Sequence, residues 1–322
     1  MPELPEVETI RRGLEKCILN KKIVQTTILC EKSFQGIPLT GKIIKLRRYG
    51  KALILDLDNH HSLMIHLRMT GQLIYDPATP TQPATPAQPA EPTRTQPTST
   101  AERFAAGHPS ENFLATLPNK QTRVIITLDS GTLYFNDQRK FGFIKSLPTL
   151  EVEEDSFIKK LAKEPWTMPD AEFYEKLQRH AKAPIKAVIL DQSIICGLGN
   201  IYADEALFAS KIHPATRAGS ITKSRASLLL KSAREVMEKS IASGGSTMAT
   251  YVKPDGTRGD YLDQFAQVFH RNGELCPRCQ KVKIEKTRVA GRGTHFCPNC
   301  QPASQKIANN QSAVHSSAKE PK

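Results

Sequence analysis

Four cysteines near the end of this 322-residue sequence have a spacing that indicates metal chemistry. They form two C-x-x-C pairs with 17 residues between them, Cys276 with Cys279 and Cys297 with Cys300. Four thiolates complete a tetrahedral structural zinc site and leave no open position for water. The pattern therefore predicts one structural Zn²⁺ that holds a β-hairpin, with a redox dithiol pair as the alternative.

The N-terminus offers nucleophilic chemistry. Removal of Met1 would give Pro2 a free secondary amine. An α-amino group titrates at about 7.7 to 8, so a useful fraction is neutral and nucleophilic at physiological pH. Attack of this amine on a sugar C1′ would give a cationic iminium that favours elimination of the neighbouring phosphates, and Glu3 stands beside it to transfer the proton. The dipeptide by itself leaves an ordinary Met-Pro start as the alternative.

Positive charge exceeds negative charge over the chain and is concentrated between the cysteine pairs. Lysine and arginine outnumber acidic residues 45 to 32, and the net charge of +13 favours a polyanionic partner, although ribosomal and membrane-surface proteins share such a balance. Gly291 and Gly293 flank Arg292, which predicts a sharp turn that presents the guanidinium to a phosphate or a groove, with a solvated basic loop as the alternative. The other cations of this segment are Lys281, Lys283, Lys286 and Arg288.

These residues need a scaffold, and the first part of the chain predicts one made of a helix and strands. Apolar residues spaced three and four apart from Pro5 onward indicate an amphipathic helix that reaches Ile18. Short β-rich runs cover 23–75, and a second set ends near Leu147, which together predict an antiparallel β-sandwich. Strands are expected at 43–46, 52–57, 62–66, 123–128 and 132–135.

Between the two strand sets, residues 76–110 are poor in large apolar side chains and rich in Pro, Thr, Ala and Gln. Such a segment cannot bury enough surface to fold, so it is expected to be a disordered insertion. Proline recurs at every third position from Pro77 to Pro92, which is the period of polyproline II. This favours a stiff spacer, with an SH3-type ligand as the alternative.

The remainder is predicted to be helical up to the cysteines. Helical patterns cover 170–180, 185–191, 200–210 and 224–243. No apolar run reaches the ~20 residues that a membrane span needs, and the start is unlike a signal peptide, so a cytoplasmic protein is expected. The expected fold class is α+β, with an N-terminal domain over 1–147, a linker over 148–164, a helical domain over 165–261, a zinc-ribbon β-hairpin over 262–301 and a disordered tail over 302–322.

Six blocks of sequence resemble, in their order along the chain, the bacterial formamidopyrimidine-DNA glycosylases. The resemblance spans nearly the whole chain apart from the 76–110 insertion and the tail. It implies that the first domain is catalytic and that the helical domain is a helix-two-turns-helix DNA-binding domain. The blocks are residues 2–8 (PELPEVE), 47–51 (RRYGK), 66–71 (HLRMTG), 137–142 (DQRKFG), 197–203 (GLGNIYA) and the two cysteine pairs.

The resemblance implies roles for four catalytic residues. By similarity, Pro2 is the Schiff-base nucleophile and Glu3 is the proton donor and acceptor at the deoxyribose. Lys51 resembles a second proton donor that serves β-elimination, and it ends a cluster with the two arginines at 47–48 that suits phosphate binding. Arg292 resembles the finger arginine assigned to δ-elimination and to phosphate contact.

By the same similarity, Met69, Arg139 and Phe141 fill the space that a nucleotide leaves when it is extruded from the duplex. Core packing is the alternative for isolated Met or Phe side chains. Asn200 would bind a phosphate, although capping of the following helix would also explain it. Further contacts with the DNA backbone are implied for His66, Lys182 and Lys186.

Two positions depart from the family pattern. Gln121 stands where many relatives have a DNA-contacting histidine, and Gln138 replaces a proline that often precedes the wedge arginine. Both keep hydrogen-bonding capacity, so altered contact strength is expected without loss of activity. The damaged-base pocket is expected to involve Glu6, Thr250 and Tyr251.

The resemblance implies a monomeric enzyme of base excision repair that works on the nucleoid in the bacterial cytoplasm. It would be a bifunctional DNA glycosylase and AP lyase that removes 8-oxoguanine and formamidopyrimidines from double-stranded DNA by Schiff-base catalysis and β,δ-elimination, with the structural zinc and no organic cofactor. One alternative is an endonuclease VIII-type glycosylase for oxidised pyrimidines, against which Leu4, Val7 and the wedge residues argue. The other is a zinc-ribbon DNA-binding protein without chemistry.

Overall fold

A computed structural model describes residues 2–77, 103–107, 116–244 and 265–303 of the chain. The chain divides into two compact units. Of the described residues, the first unit, here called the sandwich unit, holds residues 2, 6–77, 103–107 and 116–154. The second, here called the helical unit, holds residues 3–5, 155–244 and 265–303.

Helix α1 runs from Leu4 to Ile18, as the spacing of its apolar residues predicts. Its first turn contains Pro5, whose fixed φ suits that position and whose missing N–H has no helical partner there in any case. The side chains of Val7, Ile10 and Leu14 are buried in the core of the sandwich unit. Burial of this one face explains why the helix forms.

Ten strands among the described residues form one continuous hydrogen-bonded ladder in the order β2-β10-β5-β4-β3-β1-β8-β9-β6-β7. The strands are β1 (Lys22–Ile28), β2 (Phe34–Gln35), β3 (Gly41–Tyr49), β4 (Ala52–Leu57), β5 (His61–His66), β6 (Gly71–Pro77), β7 (Phe104–Gly107), β8 (Thr122–Leu128), β9 (Gly131–Asp137) and β10 (Phe143–Pro148).

The ladder folds into a sandwich because its two halves bury their apolar side chains in one shared core. The halves meet between β1 and β3, where the register contains the pairs Lys22↔Lys42 and Ile23↔Gly41. The predicted antiparallel sandwich is confirmed, except that the short strand β2 pairs with β10 in parallel. Core side chains come from β4 and β5 (Leu53, Leu55, Leu63, Ile65) and from β6, β8 and β9 (Leu73, Val124, Ile126, Leu133, Phe135).

One part of the expected disordered insertion is ordered. Within 76–110, residues 104–107 form strand β7, which pairs with β6 through contacts such as Tyr75↔Phe104. The prediction was wrong for this stretch because Phe104 supplies the apolar surface that the neighbouring sequence lacks, and its side chain is buried. Asp76 and Pro77 also belong to a strand, β6. Residues 78–102 and 108–110 lie outside the described residues.

The helical unit contains the helices that the sequence predicts, with ends that agree to within one residue. Pro169 and Pro184 immediately precede two of them, and the side chain of Thr222 caps a third by accepting a hydrogen bond from the backbone N–H of Arg225. The predicted linker also contains a short helix. The helices are α2 (Ser156–Lys159), α3 (Asp170–Arg179), α4 (Ile185–Leu190), α5 (Asn200–Ala209) and α6 (Lys223–Ala242).

The segment between the cysteine pairs forms a two-stranded hairpin of β11 (Glu285–Val289) and β12 (Arg292–Phe296). Ala290 and Gly291 make its two-residue turn, and both have positive φ, at 48° and 76°. Two consecutive positive φ values are typical of the type I′ turn that joins antiparallel strands. The expected turn centred on Arg292 is therefore displaced, and Arg292 is the first residue of β12.

Within the described residues, no helix combines the length and the apolar character that crossing a bilayer requires.

We expect Phe135→Ala to lower the free energy of unfolding by about 3 to 5 kcal/mol, because the ring is fully buried in the sandwich core and its loss leaves a cavity. Urea denaturation followed by far-UV circular dichroism measures this change. Phe141→Ala is the matched control, since the Phe141 side chain is 57% exposed and its removal should change stability by less than about 0.5 kcal/mol. Equal losses in the two variants would contradict the assignment of Phe135 to the core.

Candidate active site and nucleic-acid interface

The carboxylate of Glu3 lies at the N-terminus of helix α5. Its oxygens accept hydrogen bonds from the backbone N–H groups of Gly199 at 2.7 Å, Ile201 at 2.9 Å and Tyr202 at 3.4 Å. These are amides that a helix cannot satisfy internally, and they favour a negative group. The residue beside Pro2 is thereby held in a defined position, with its side chain buried.

This arrangement requires glycine in the turn before α5. A Cβ atom at Gly199 would lie 2.2 Å from the Glu3 carboxyl carbon, and Gly197 has a φ of +99°. Capping of α5 by Asn200, the alternative explanation for that residue, does not occur, because Asn200 is the first residue of the helix. Gly199 occupies the cap position and has no side chain to accept a hydrogen bond. The Glu3 carboxylate, close to the N-terminus of the chain, supplies the capping oxygens instead.

Asn200 and Lys186 hold the finger hairpin instead of facing solvent. The side-chain amide of Asn200 donates to the carbonyl of Gly293 at 3.0 Å, and the Lys186 ammonium donates to the same carbonyl at 2.8 Å. Lys186 also donates to the Thr294 hydroxyl at 2.8 Å and pairs with Asp204 at 2.7 Å, and neither charged side chain has exposed surface. Burial lowers the pKa of Lys186, and the Asp204 carboxylate opposes that shift.

The predicted phosphate contacts of Asn200 and Lys186 are therefore not what this conformation provides. The Asn200 side-chain nitrogen and the Lys186 ammonium both donate to residues that follow Arg292 on β12. Arg292 itself is exposed at the start of that strand. Lys182, in the loop before α4, is exposed as well.

Lys51 lies in the two-residue turn between β3 and β4 and is 6% exposed. The two arginines before it do not form the phosphate-binding cluster that the sequence suggested. Arg47 donates to both carboxylate oxygens of Asp56, at 2.7 and 2.9 Å. Arg48 donates to Glu8 at 3.1 Å and to the carbonyl of Gly50, the residue before Lys51, at 2.9 Å. Internal carboxylates thus neutralise both guanidinium groups.

Glu8 is a buried acceptor for several arginines. Burial of this carboxyl raises its pKa, but hydrogen bonds from Arg11, Arg12 and Arg48 outweigh that effect and lower the pKa of Glu8 to about 2. The group is consequently ionised at physiological pH. It links the first turns of α1 to the backbone of the β3–β4 turn through Arg48.

The three wedge residues are exposed. Met69 is 38% exposed and Phe141 is 57% exposed, and the Arg139 guanidinium lies 4.9 Å from the centroid of the Phe141 ring. The alternative that Met69 and Phe141 pack in a core is therefore excluded. A cation over an aromatic ring stabilises both side chains in an outward conformation.

His66 ends strand β5 and is buried against Phe143, with ring centroids 5.8 Å apart. Burial, together with the positive charges of Arg68 and Lys51, lowers the pKa of His66 to about 3. The imidazole is therefore neutral at physiological pH. Its Nδ1 atom accepts a hydrogen bond from the backbone N–H of Arg68 at 3.1 Å, which leaves the proton on Nε2.

The remaining predicted site residues lie in different settings. Gln121 is half-buried, and its carbonyl accepts a hydrogen bond from the backbone N–H of Asp137 at 2.9 Å. Glu6 lies in the first turn of α1 and has no exposed surface. Thr250 and Tyr251 fall outside the described residues.

The four cysteine sulfurs of the finger lie within 4.8 Å of one another. Two Sγ–Sγ distances are 3.9 Å, for Cys276 and Cys300, and 3.8 Å, for Cys279 and Cys297. A tetrahedron with metal–sulfur bonds of about 2.3 Å has edges of about 3.8 Å, so these thiols fit a zinc ion. Each short distance joins one cysteine of the first pair to one of the second, as a shared metal requires.

Sequence reasoning missed the acidic residues that position these groups. Asp204 pairs with Lys186, and Glu205 accepts hydrogen bonds from the backbone N–H groups of residues 267–269, each at 2.9 Å. Both lie in the middle of α5, where the surrounding sequence NIYADEALFA is otherwise largely apolar. Acidic residues inside an apolar helix were the available signal, because buried charges require partners.

We expect Lys186→Met to lower the free energy of unfolding by about 3 to 5 kcal/mol, because Asp204 would keep a buried charge without its counter-ion. Lys182→Met is the matched control, and its exposed position predicts a change below about 0.5 kcal/mol. Thermal and urea unfolding of the two variants measure the difference. If the two substitutions prove equally mild, Lys186 does not carry the buried ion pair.

Three family models match successive parts of the chain. The model described as the formamidopyrimidine-DNA glycosylase N-terminal domain matches residues 1–144. The formamidopyrimidine-DNA glycosylase H2TH domain matches residues 161–252, and the zinc finger found in FPG and IleRS matches residues 283–303.

Whole proteins of the same kind are similar over almost their full length. The chain is 35% identical to the formamidopyrimidine-DNA glycosylase of Pelotomaculum thermopropionicum, covering 94% of this chain and 99% of the relative. The enzyme of Desulforamulus reducens is 38% identical, with 94% and 100% covered.

Solved structures are similar as well. A Lactococcus lactis FPG variant in complex with a Fapy-dG containing DNA has a TM-score of 0.75 at 33% identity, and it covers 94% of this chain and 100% of that one. The MutM (FPG) protein of Thermus thermophilus has a TM-score of 0.73 at 32% identity, with the same coverage. The chain therefore belongs to the formamidopyrimidine-DNA glycosylase family of DNA-repair enzymes.

Proposed function

We propose that this glycosylase excises oxidised purines from double-stranded DNA and then cleaves the strand, with the amine of Pro2 as nucleophile. The observation that carries the proposal is the set of hydrogen bonds between the Glu3 carboxylate and the backbone N–H groups at the start of α5. These bonds fix the residue next to the nucleophile. A nucleophile needs such an oriented partner for its proton transfers. Solved structures of relatives include complexes with Fapy-dG containing DNA and with abasic-site DNA, which supports the substrate class.

The chemistry follows from a secondary amine at C1′. The Pro2 nitrogen bonds to C1′ as the glycosidic bond breaks, and the purine leaves with a proton. Opening of the sugar ring needs a proton on O4′ and produces the iminium, and the Glu3 carboxyl is the group we assign to that proton. The iminium then draws electrons from C2′, so that a proton leaves and the 3′-phosphate departs.

A second elimination completes the strand cut. Loss of a proton from C4′ expels the 5′-phosphate, and water finally hydrolyses the iminium and returns the free amine. We assign Lys51 to proton transfer in the first elimination. Arg292, exposed at the start of β12, is assigned to the phosphate and to the second elimination.

The other predicted site residues are proposed to recognise the DNA. Met69, Arg139 and Phe141 would fill the space left by the extruded nucleotide, as their exposure supports. Lys182 would contact the backbone, and Gln121 and neutral His66 would support that surface. The base pocket would involve Glu6, Thr250 and Tyr251. We propose that the enzyme works as a monomer on nucleoid DNA in the cytoplasm, with one structural zinc and no organic cofactor.

The nucleophile is tested by borohydride trapping on duplexes that contain 8-oxoguanine, oxidised thymine or an abasic site. We expect a covalent adduct that mass spectrometry maps to Pro2 in protein that has lost Met1, with preference for 8-oxoguanine. An adduct elsewhere would overturn the catalytic assignment. Preference for oxidised thymine would indicate the endonuclease VIII type, and binding without cleavage would indicate a DNA-binding protein without chemistry.

We expect Lys51→Met to lower the rate of strand cleavage by about 10²-fold or more while the adduct at Pro2 still forms, since removal of a general acid or base costs about that factor. The measurement is single-turnover cleavage of an abasic duplex. Lys45→Met serves as the control. Lys45 is exposed on β3, in the same β3–β4 hairpin, so its substitution should leave the rate unchanged. A loss of equal size in both variants would argue for a general effect of positive charge.

Elemental analysis tests the metal site. We expect one zinc per chain in the parent protein and in Cys30→Ser, because Cys30 lies outside the four-sulfur cluster. Cys279→Ser removes one of four ligands, so zinc should fall well below one per chain and the finger should lose structure. Retention of full zinc in Cys279→Ser would contradict the four-thiolate site.

A further inference from the structure

A single buried carboxylate holds together the two loops that carry the wedge residues. Asp137, at the end of β9, has no exposed surface. Its Oδ1 atom accepts hydrogen bonds from the Thr70 hydroxyl and from the backbone N–H of Arg139, the latter at 3.2 Å. Its Oδ2 atom accepts one from the backbone N–H of Gly142 at 2.7 Å. The carboxylate is thus hydrogen-bonded to both ends of the loop that contains Arg139 and Phe141.

Thr70 completes the connection to the loop that carries Met69. While its hydroxyl donates to Asp137, the same oxygen accepts the backbone N–H of Arg139 at 3.1 Å. The loops therefore share a closed set of hydrogen bonds among Thr70, Asp137 and Arg139. A change in one loop cannot occur without breaking a bond to the other.

The backbone of both loops requires such restraint. Arg68 and Lys140, one in each loop, have positive φ values of 51° and 58°. Non-glycine residues adopt this region at a cost and keep it where the surroundings impose it. Gly142 has no room for a side chain, because a Cβ atom there would lie 2.8 Å from the Phe135 ring and 3.1 Å from Asp137 Oδ2.

The backbone of Asp137 extends the connection to a third segment. Its N–H donates to the carbonyl of Gln121 at 2.9 Å, and its carbonyl accepts from the Arg123 guanidinium at 2.7 Å. Arg123 also donates to the carbonyl of Lys120 at 3.0 Å. Hydrogen bonds at one residue therefore order three stretches of the sandwich unit.

We infer that Asp137 and Thr70 are positioning residues that hold Met69, Arg139 and Phe141 as one preorganised wedge for nucleotide extrusion. The inference rests on the proposed function, which needs a wedge in the duplex. The Asp137 carboxylate has no exposed surface, and the Thr70 hydroxyl is engaged with Asp137 and Arg139. They act by fixing the backbone from which the three exposed side chains project, and preorganisation of this kind lowers the cost of inserting them.

The test uses substitutions that change hydrogen bonds and keep shape. Asp137→Asn replaces one acceptor oxygen with a donor that faces backbone N–H groups. Thr70→Val removes the hydroxyl, and Thr70→Ser restores it. Asp129→Asn and Thr132→Val are matched controls, since Asp129 is exposed at the β8–β9 turn and Thr132 lies elsewhere on β9.

Extrusion is measured by stopped-flow fluorescence of 2-aminopurine placed beside 8-oxoguanine in a duplex. We expect the rate of the fluorescence rise to fall about tenfold in Asp137→Asn and in Thr70→Val, the factor that corresponds to one hydrogen bond to a charged group. Thr70→Ser and both controls should extrude at the parent rate. The double variant Asp137→Asn/Thr70→Val should be no slower than the worse single variant, because the two residues form one connection.

Borohydride trapping on single-stranded abasic DNA separates this inference from the proposed function, since no duplex needs to be filled there. We expect trapping to be unchanged in every variant. Parent-like extrusion in Asp137→Asn and Thr70→Val, or a Thr70→Ser variant as slow as Thr70→Val, would overturn the positioning role. Absence of trapping by the parent protein on duplex and single-stranded abasic DNA alike would refute the proposed chemistry instead.

Thr70→Val keeps the test decisive even if Asp137→Asn folds poorly. Thr70 is only half-buried in a turn, so loss of its hydroxyl should leave the thermal midpoint near that of the parent. A normal midpoint with slow extrusion supports positioning. A normal midpoint with normal extrusion rejects it.

Discussion

The hydrogen bonds between the Glu3 carboxylate and the first amides of α5 are the interaction on which the helical unit and the proposed chemistry both depend. A helix start always leaves amides without intrahelical partners, and burial without a partner would be costly. Here an acidic residue from the other end of the sequence supplies that partner. The same bonds therefore stabilise the helix and orient the residue next to Pro2. Gly199 leaves the space that the carboxylate occupies, and Gly197 leaves space for the Leu4 side chain.

Helix α5 makes several side-chain hydrogen bonds and an ion pair, although most of its side chains are buried. Asn200 holds the carbonyl of Gly293, Asp204 pairs with Lys186, and Glu205 binds the backbone that leads into the finger. Buried polar groups are costly without partners, so these hydrogen bonds and the ion pair favour one arrangement of the finger against α5. Through these contacts the helix determines where β12, and with it Arg292, lies within the helical unit.

The same use of internal acids appears in the sandwich unit. Asp137 orders the wedge loops, Asp56 neutralises Arg47, and Glu8 collects several arginines. A net charge of +13 suggested cations spread over a surface that binds a polyanion. Part of that charge is instead balanced inside the fold. Other cations, such as Arg139, Lys182 and Arg292, remain exposed.

Local patterns were sufficient for the elements and for the metal site. The helix from Leu4, the strands on both sides of the insertion, helices α3 to α6 and the four clustered cysteines all follow from periodicity, turn residues and ligand spacing, which act over a few residues. The ordered blocks also identified the family. The sequence by itself thus determined which elements form, which family they belong to and which residues are candidates for chemistry.

Only the tertiary structure decided what several of those candidates contact. Lys186 and Asn200 looked like phosphate ligands, yet they bind Gly293, which lies 107 and 93 residues away along the chain. Arg47 and Arg48 looked like a free cluster and are paired with acids, and Glu3 caps a helix nearly 200 residues further on. A charged residue looks the same in the sequence whether its side chain faces solvent or pairs with a buried partner. The choice is made by desolvation, which depends on the packing of distant segments and is invisible to local spacing.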